Sequence, residues 1–220
     1  MNNMRKAILI GAVILGFAVT PATAQNDPKA KAVLESVTKK VNSLKSLKAN
    51  FSINLTGGKG SKVNDTKKGS IVLKGQKYHV LISGQEIICD NKTIWTYNKE
   101  AKEVQISNFN PSEQTMSPAK LLTNFYDKEY KYSYGGEKKA GGKTYDVVNL
   151  TPNDKSKKYT GIELMIDKGT SMIAGGNIME KNGNKVQYTV SNVVTNANVP
   201  DTEFSWDAKK HPGVESVDLR

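Results

Sequence analysis

The chain has 220 residues, and its 32 lysines and arginines outnumber its 21 aspartates and glutamates, which gives a formal net charge of +11. The positive charges are spread along the chain and no recognition motif accompanies them, so we expect no nucleic acid partner. They indicate either a solvated surface or an attraction to anionic lipid head groups. The single cysteine cannot form an internal disulfide bond, and with only two histidines it makes a poor zinc site.

The N-terminus has the three parts of an export signal. Arg5 and Lys6 precede an apolar run, residues 7–19, which is followed by the small-residue sequence "ATA" at 22–24. The run is too short to cross a bilayer, and no later segment is apolar enough to do so. The pattern predicts that residues 1–24 are a cleaved signal peptide and that residues 25–220 form one exported domain.

An amphipathic helix is predicted to open the exported domain. Pro28 suits the first helical position, and either Asn26 or Asp27 could cap the helix. Apolar residues at helical spacing form a stripe on one face: Val33, Leu34, Val37, Val41 and Leu44. The opposite face is charged, so we expect the stripe to pack on another element.

The apolar period changes from 3.6 to 2 at residue 47. In residues 47–56, apolar and polar side chains alternate, which predicts a strand with one buried face. Further short strands follow up to residue 108, separated by turns that contain glycine. In "ICDNKTIWTYN", Asp90 and Asn91 suit a hairpin turn, and the returning strand places Trp95 and Tyr97 on one face.

The cysteine in this hairpin could be a buried apolar residue or a reactive thiol. A catalytic thiol needs a nearby cation, usually a histidine, to lower its pKa. His79 lies in a predicted strand and His211 in the C-terminal sequence "KKHPG", although distance in sequence does not exclude a dyad. We expect Cys89 to be buried.

A second helix is predicted to interrupt the strands. Ser117 can cap it and Pro118 can begin it, and it would pack Leu121, Leu122 and Phe125 over the sheet. Strands resume near residue 130 and include an Asn-Gly hairpin signal at 182–183. We count about eleven strands and two helices, mostly in hairpin succession. The predicted fold is a mainly β, antiparallel sheet, closed or nearly closed, with one apolar face.

Sequence motifs for catalysis are missing. The chain has no nucleophile-elbow, zinc-protease or phosphate-loop motif, and solvation explains Glu163 and Asp167 on a polar strand face. We therefore expect no enzyme, no metal and no cofactor. An apolar face covered by helices indicates either a cavity for a ligand or an ordinary packed core.

The order of the elements resembles the LolA-type periplasmic carriers of outer-membrane lipoproteins. The likeness rests on "ANF", "CDNKTIWTYN", "KEVQI", "SPAKLL", "VVNLTP" and "DTEFSWD", and it runs along nearly the whole exported domain. The ending "HPGVESVDLR" resembles the version of the family found in Bacteroidetes-type bacteria.

The resemblance implies an incomplete, unclosed antiparallel barrel of about eleven strands, with two or three helices and a helical lid over an apolar cavity. Such a carrier is a periplasmic monomer that shelters the acyl chains of lipoproteins. It would receive them from an inner-membrane ABC transporter and deliver them to an outer-membrane acceptor. The alternatives are a periplasmic glycolipid or amphiphile sensor on the same fold, a cell-envelope adhesion module and an unrecognised hydrolase.

The resemblance also assigns residues to the cavity and its cover. The implied cavity lining is Phe51, Tyr78, Val80, Ile82, Trp95, Leu150, Leu164 and Tyr188. The lid would be formed by Leu121, Leu122 and Phe125, and the cavity face of the first helix by Leu34, Val37 and Val41. Many members latch the lid with an arginine that this chain lacks, because the matching stretch begins with Lys74. The lid would then be held by Lys74 or by packing alone.

Overall fold

The structure is a computed structural model, and it describes residues 27–58, 64–110 and 129–220. These residues form one α-helix and one twelve-stranded sheet. The helix is α1, Pro28–Asn42. The first six strands are β1 Leu47–Thr56, β2 Asn64–Lys74, β3 Lys77–Ile82, β4 Gln85–Cys89, β5 Thr93–Asn98 and β6 Glu103–Asn108. The other six are β7 Tyr130–Ala140, β8 Lys143–Pro152, β9 Tyr159–Asp167, β10 Met172–Glu180, β11 Lys185–Thr195 and β12 Glu215–Asp218.

The sheet is open, which confirms the predicted unclosed, mainly β fold. Its strand order is β12-β6-β5-β4-β3-β2-β1-β11-β10-β9-β8-β7, so β12 and β7 are edges that do not pair with each other. Ten of the eleven neighbouring pairs are antiparallel, as hairpin succession predicts. Among the described residues, no helix is long and apolar enough to cross a membrane.

Strand β12 raises the predicted count of about eleven to twelve. It pairs with β6 in parallel, and its flanks are held by bonds from Glu215 N to Lys102 O at 2.9 Å and from Leu219 N to Ile106 O at 2.8 Å. Residues 215–218 have no apolar alternation that would indicate a strand, so the sequence did not predict β12. The strand covers an edge of the sheet that would otherwise offer unpaired backbone groups.

Helix α1 begins at the predicted cap. Asp27 Oδ1 accepts hydrogen bonds from Lys29 N at 2.8 Å and Ala30 N at 3.3 Å, and Pro28 occupies the first position. The helix ends at Asn42, so Leu44 lies beyond its last turn.

The predicted turns are confirmed. Asp90 Oδ1 accepts from Lys92 N at 2.8 Å and Thr93 N at 2.7 Å, and Asn91 adopts the left-handed φ of 80° that the turn between β4 and β5 requires. The turn between β10 and β11 contains Asn182 and Gly183.

Helix α1 and the C-terminal segment cover opposite halves of the sheet. Helix α1 packs on β7, β8 and β10. The C-terminal segment, residues 196–220, instead follows β2 to β6 and includes two short 3₁₀ helices, Asp201–Phe204 and Ala208–Lys210, before β12. The predicted second helix, with Leu121, Leu122 and Phe125, lies outside the described residues.

Candidate functional site

One face of the sheet, here called the inner face, carries a first apolar cluster beneath α1. The helix contributes Ala30, Leu34 and Val37, each at most 1% exposed. The strands contribute Tyr130, Tyr132, Val148, Leu150, Tyr159, Ile162, Leu164, Ile166, Ile173, Ile178 and Tyr188. This half of the inner face is closed by the helix, because the apolar stripe predicted from its spacing meets the strands directly.

A second apolar cluster continues the inner face over β1 to β5. Its buried members are Leu47, Ala49, Ile71, Leu73, Tyr78, Val80, Cys89, Ile94 and Met172. Phe51, Ile82 and Ile87 pack against it but stay half-buried. Val41 and Val190 touch both clusters, so the two form one continuous apolar surface. In the described part of the chain, α1 reaches the second cluster only through Val41 at its end.

The structure brings most of the candidate cavity residues onto the inner face. Tyr78 and Val80 are buried in the second cluster, with Phe51 and Ile82 half-buried at its margin. A further three candidates are buried in the first cluster beneath α1, namely Leu150, Leu164 and Tyr188. On the helix, Leu34 and Val37 are buried and Val41 is half-buried between the two clusters.

Trp95 is not brought together with the other candidates. Successive side chains of a strand point to opposite faces, and Ile94 belongs to the second cluster. Trp95 therefore faces the other side of the sheet, here called the outer face, beside its partners Ile88 and Ile106. Tyr97 shares that face, as predicted, and its ring packs against Trp206 at a centroid distance of 5.2 Å.

Tyr188 places an unpartnered hydroxyl inside the apolar surface. The side chain is 5% exposed, and its oxygen has no hydrogen-bond partner among the described residues. Burial raises the pKa of this phenol, so it stays protonated and able to donate. The ring lies over Gly176, where an added Cβ would come within 3.0 Å of the Tyr188 hydroxyl and 2.2 Å of Glu163 O. A buried unpaired hydroxyl costs about 1–3 kcal/mol, which is a reason to look for a ligand oxygen beside it.

Cys89 has the environment of a packing residue, which confirms its predicted burial. It is fully buried in the second cluster, and burial raises the pKa of the thiol, although a hydrogen bond from Asn91 N at 3.4 Å opposes this shift. His79 alternates with Tyr78 along β3 and so faces the outer side, with the sheet between the thiol and the imidazole. The two do not form a dyad.

Both histidines instead converge on the outer face, which the sequence did not reveal. His79 Nδ1 lies 3.0 Å from Glu203 and Nε2 lies 2.8 Å from Glu86, while His211 Nε2 lies 4.0 Å from Glu86. His211 also stacks on Trp206 at 4.0 Å. The signal that could have indicated this cluster is the pair of aromatic residues Phe204 and Trp206 in the C-terminal segment. Within residues 27–58, 64–110 and 129–220, no three His, Cys, Asp or Glu side chains form a group that could hold a metal ion.

The two acidic residues singled out on β9 have structural partners. Asn177 Nδ2 donates to Glu163 at 2.6 Å, and Lys143 Nζ lies 2.9 Å from Asp167. Asp167 is 7% exposed and also accepts from two backbone amides of the following turn. Their carboxylates are thus held by the fold rather than simply solvated.

Lys74 is engaged by the C-terminal segment. Its Nζ lies 3.0 Å from Asp201 Oδ1 and donates to Val199 O at 3.0 Å. The predicted role of Lys74 in holding a lid stays a prediction, because the lid residues are outside the described part of the chain.

Comparison with known proteins matches this chain to a protein family. The family model described as outer membrane lipoprotein carrier protein LolA matches residues 42–207. An outer-membrane lipoprotein carrier protein of Shewanella sp. (strain MR-4) is 30% identical over 156 residues, which covers 69% of this chain and 71% of the relative. The protein of the same name in Shewanella oneidensis is 28% identical over 196 residues, covering 87% of this chain and 85% of the relative.

A solved structure supports the fold independently of sequence. An uncharacterized conserved protein from Thermus thermophilus superposes with a TM-score of 0.60 and 11% identity, covering 86% of this chain and 99% of that one. At this identity the likeness concerns the fold alone.

Proposed function

Because the chain belongs to the LolA family of outer membrane lipoprotein carrier proteins, we propose that it shelters the acyl chains of lipoproteins and carries them across the periplasm. The observation that carries the proposal is the continuous apolar inner face, which α1 covers over the first cluster but meets only at its end over the second. Phe51, Ile82 and Ile87 are half-buried there, so acyl chains could add to the surface that they already form.

The energetics favour a covered apolar site over an open one. Burying one CH₂ group is worth about 0.8 kcal/mol, so a long acyl chain contributes on the order of 10 kcal/mol against water. An empty surface of this kind would cause association unless something covered it. The predicted lid, with Leu121, Leu122 and Phe125, would cover it when empty. Loss of the lid contacts on loading would then lower the net affinity enough for release.

The donor and the acceptor follow from the same proposal. Cargo would come from an inner-membrane ABC transporter, because the periplasm holds no ATP with which the carrier could drive extraction. Release would occur at an outer-membrane acceptor. The predicted signal peptide, residues 1–24, would bring the chain to this compartment.

A release assay tests the proposal. Purified protein is added to spheroplasts that synthesise an outer-membrane lipoprotein, and the soluble fraction is analysed for a one-to-one complex. We expect release by the wild type and a loss of at least about tenfold for Ile87→Glu, because a carboxylate facing the second cluster cannot be solvated beside an acyl chain. Leu121→Glu, in the predicted lid, should show a similar loss.

The control is Val194→Glu, which places the same charge on a strand residue that is 53% exposed. Circular dichroism and urea unfolding establish that each variant is folded. Wild-type release by a folded Ile87→Glu protein would remove the second cluster from the binding site. If the wild type releases no lipoprotein but native mass spectrometry finds a glycolipid bound, the cargo is a different amphiphile.

A further inference from the structure

A groove of about 1150 Å³ crosses the outer face of the sheet, and its lining also reaches Phe51 and Ile82 at the margin of the second apolar cluster. Its floor follows one row of cross-strand partners from β11 to β5. In order, these are Ser191, Asn50, Ser70, Leu81, Glu86 and Tyr97. Cross-strand partners lie on the same face, and six strands at the usual spacing span about 24 Å. We call this feature the outer groove.

The charges that line the outer groove are mostly positive and mostly unpaired. Four exposed lysines line it, namely Lys68 on β2, Lys99 and Lys102 around the turn between β5 and β6, and Lys210 in the C-terminal segment. Within the described part of the chain, only Lys210 has an acidic neighbour, Asp207 at 3.9 Å. The one acidic lining residue, Glu86, is already occupied by the two histidines.

The walls of the outer groove are joined to one another by backbone bonds. Lys99 N donates to Gly84 O at 3.0 Å, which fixes the β5–β6 turn against the β3–β4 turn. Glu215 N donates to Lys102 O at 2.9 Å, which fixes the same turn against the C-terminal segment. Lys99 and Lys102 are therefore carried by a turn that is already fixed on both sides, so a ligand would not have to order that turn on binding.

An apolar contact point lies within the positive frame. Leu81 is 46% exposed in the middle of the row, and the Tyr97 ring lies two strands further along it. The ligand should thus combine negative charge with a small number of apolar groups.

We propose that the outer groove binds an extended acidic segment of a partner protein, with glutamates or aspartates beside the lysines and an apolar side chain on Leu81. A length of about 24 Å corresponds to about seven extended residues. A membrane surface fits less well, because the lysines frame a concave site. A small anion also fits less well, because the lysines come from three separate elements. The proposal requires no acyl chain, so it stands or falls independently of the carrier function.

The test uses a defined peptide and a charge reversal. The probe is a fluorescein-labelled peptide of four glutamates, two leucines and two serines, and its binding is measured by anisotropy at low and high salt. We expect Lys99→Glu/Lys102→Glu to weaken binding by at least about tenfold, because like charges would then face each other across the contact. Amide chemical shifts caused by the peptide should map to Leu81, Gly84 and Ser191.

The matched control is Lys138→Glu/Lys139→Glu, which makes the same change in net charge at exposed positions on the opposite edge strand, β7. It should change affinity less than about threefold. Equal losses for both double variants, equal binding of the glutamine version of the peptide, or shifts outside the groove would overturn the proposal. Binding of phosphatidylglycerol vesicles that depends on Lys99 and Lys102, without peptide binding, would identify a lipid head-group site and also overturn it.

Discussion

His79 ties the C-terminal segment to the sheet through charge. Its ring lies between Glu86 on β4 and Glu203 in the segment, and its side chain is 16% exposed. Burial alone would lower the pKa of this imidazole. The two carboxylates raise the pKa by more than burial lowers it, so the pKa lies above the ordinary 6.5. The same contact with His79 lowers the pKa of Glu86. The protonated ring holds both carboxylates at once, whereas the neutral ring can donate to only one.

The sign of the resulting pH dependence follows from linkage. A histidine whose pKa is higher in the folded state adds stability that is fully present below its ordinary pKa and is lost as the pH rises through the folded-state value. We expect the excess unfolding free energy of the wild type over His79→Gln to be greatest near pH 5.5 and to shrink by about pH 8.5. Urea unfolding at a series of pH values measures it, and ring NMR signals follow the titration.

His211→Gln serves as the comparison, since this second histidine also faces Glu86. If His79→Gln keeps the full pH dependence of the wild type, His79 is not the responsible group.

At the scale of single elements, Asp27 joins the start of α1 to the edge strand β7 by hydrogen bonds. Asp27 Oδ1 caps the helix, while Asp27 Oδ2 accepts from Tyr134 N at 3.0 Å and Asp27 N donates to Tyr132 O at 3.2 Å. The three bonds that the carboxylate accepts, chiefly the one from Tyr134 N, lower its pKa. One side chain therefore satisfies free amides of a helix end and of a sheet edge.

Asp27→Ala should loosen both elements together. We expect a lower melting temperature and faster hydrogen exchange at the Ala30 and Tyr134 amides, because each loses its acceptor. Asp27→Asn is the control, since asparagine is also a good cap and keeps one oxygen for the helix. Faster exchange at Ala30 with no change at Tyr134 would show that the edge strand does not depend on this carboxylate.

On the scale of the whole molecule, the edge strands bear on the predicted monomeric state, because an open sheet has two edges. Strand β12 occupies the free side of β6, where Val104 is fully buried. We expect a variant that ends at Val214 to associate, because its β6 edge would present unpaired backbone groups to other copies. Light scattering after gel filtration measures the mass. Full-length Leu219→Ser removes the most exposed large apolar residue of the described part of the chain, at 62%, and should stay monomeric.

If the shortened variant is monomeric and as stable as the wild type, β12 does not protect the edge. Lowered stability without association would indicate that β12 acts through packing on β6 rather than by blocking other chains.

The sequence predicted those features that local spacing determines. The period-2 pattern of residues 47–56 became β1 with the predicted bounds, and the Asn91 turn formed as its chemistry required. The candidate cavity residues were assigned by the family likeness, and most of them lie on one face of the sheet. Trp95 was assigned by that likeness, but strand alternation from Ile94 places it on the other side. The parallel pairing of β12 and the approach of His79 and His211 to Glu86 join distant parts of the chain, so no local pattern could indicate them.

The positions of helix α1 and of β12 have a consequence for when the protein can fold. Synthesis proceeds from the N-terminus, so α1 is made long before β7, on which it packs. Strand β6 likewise waits for residues 215–218 to complete its edge. The packing of α1 on β7 and the pairing of β12 with β6 cannot form before those later residues have been synthesised. Pairings between residues far apart in sequence also make folding slow. A nascent chain of this design stays incompletely folded until then, a delay that suits a polypeptide predicted to be threaded through a membrane first.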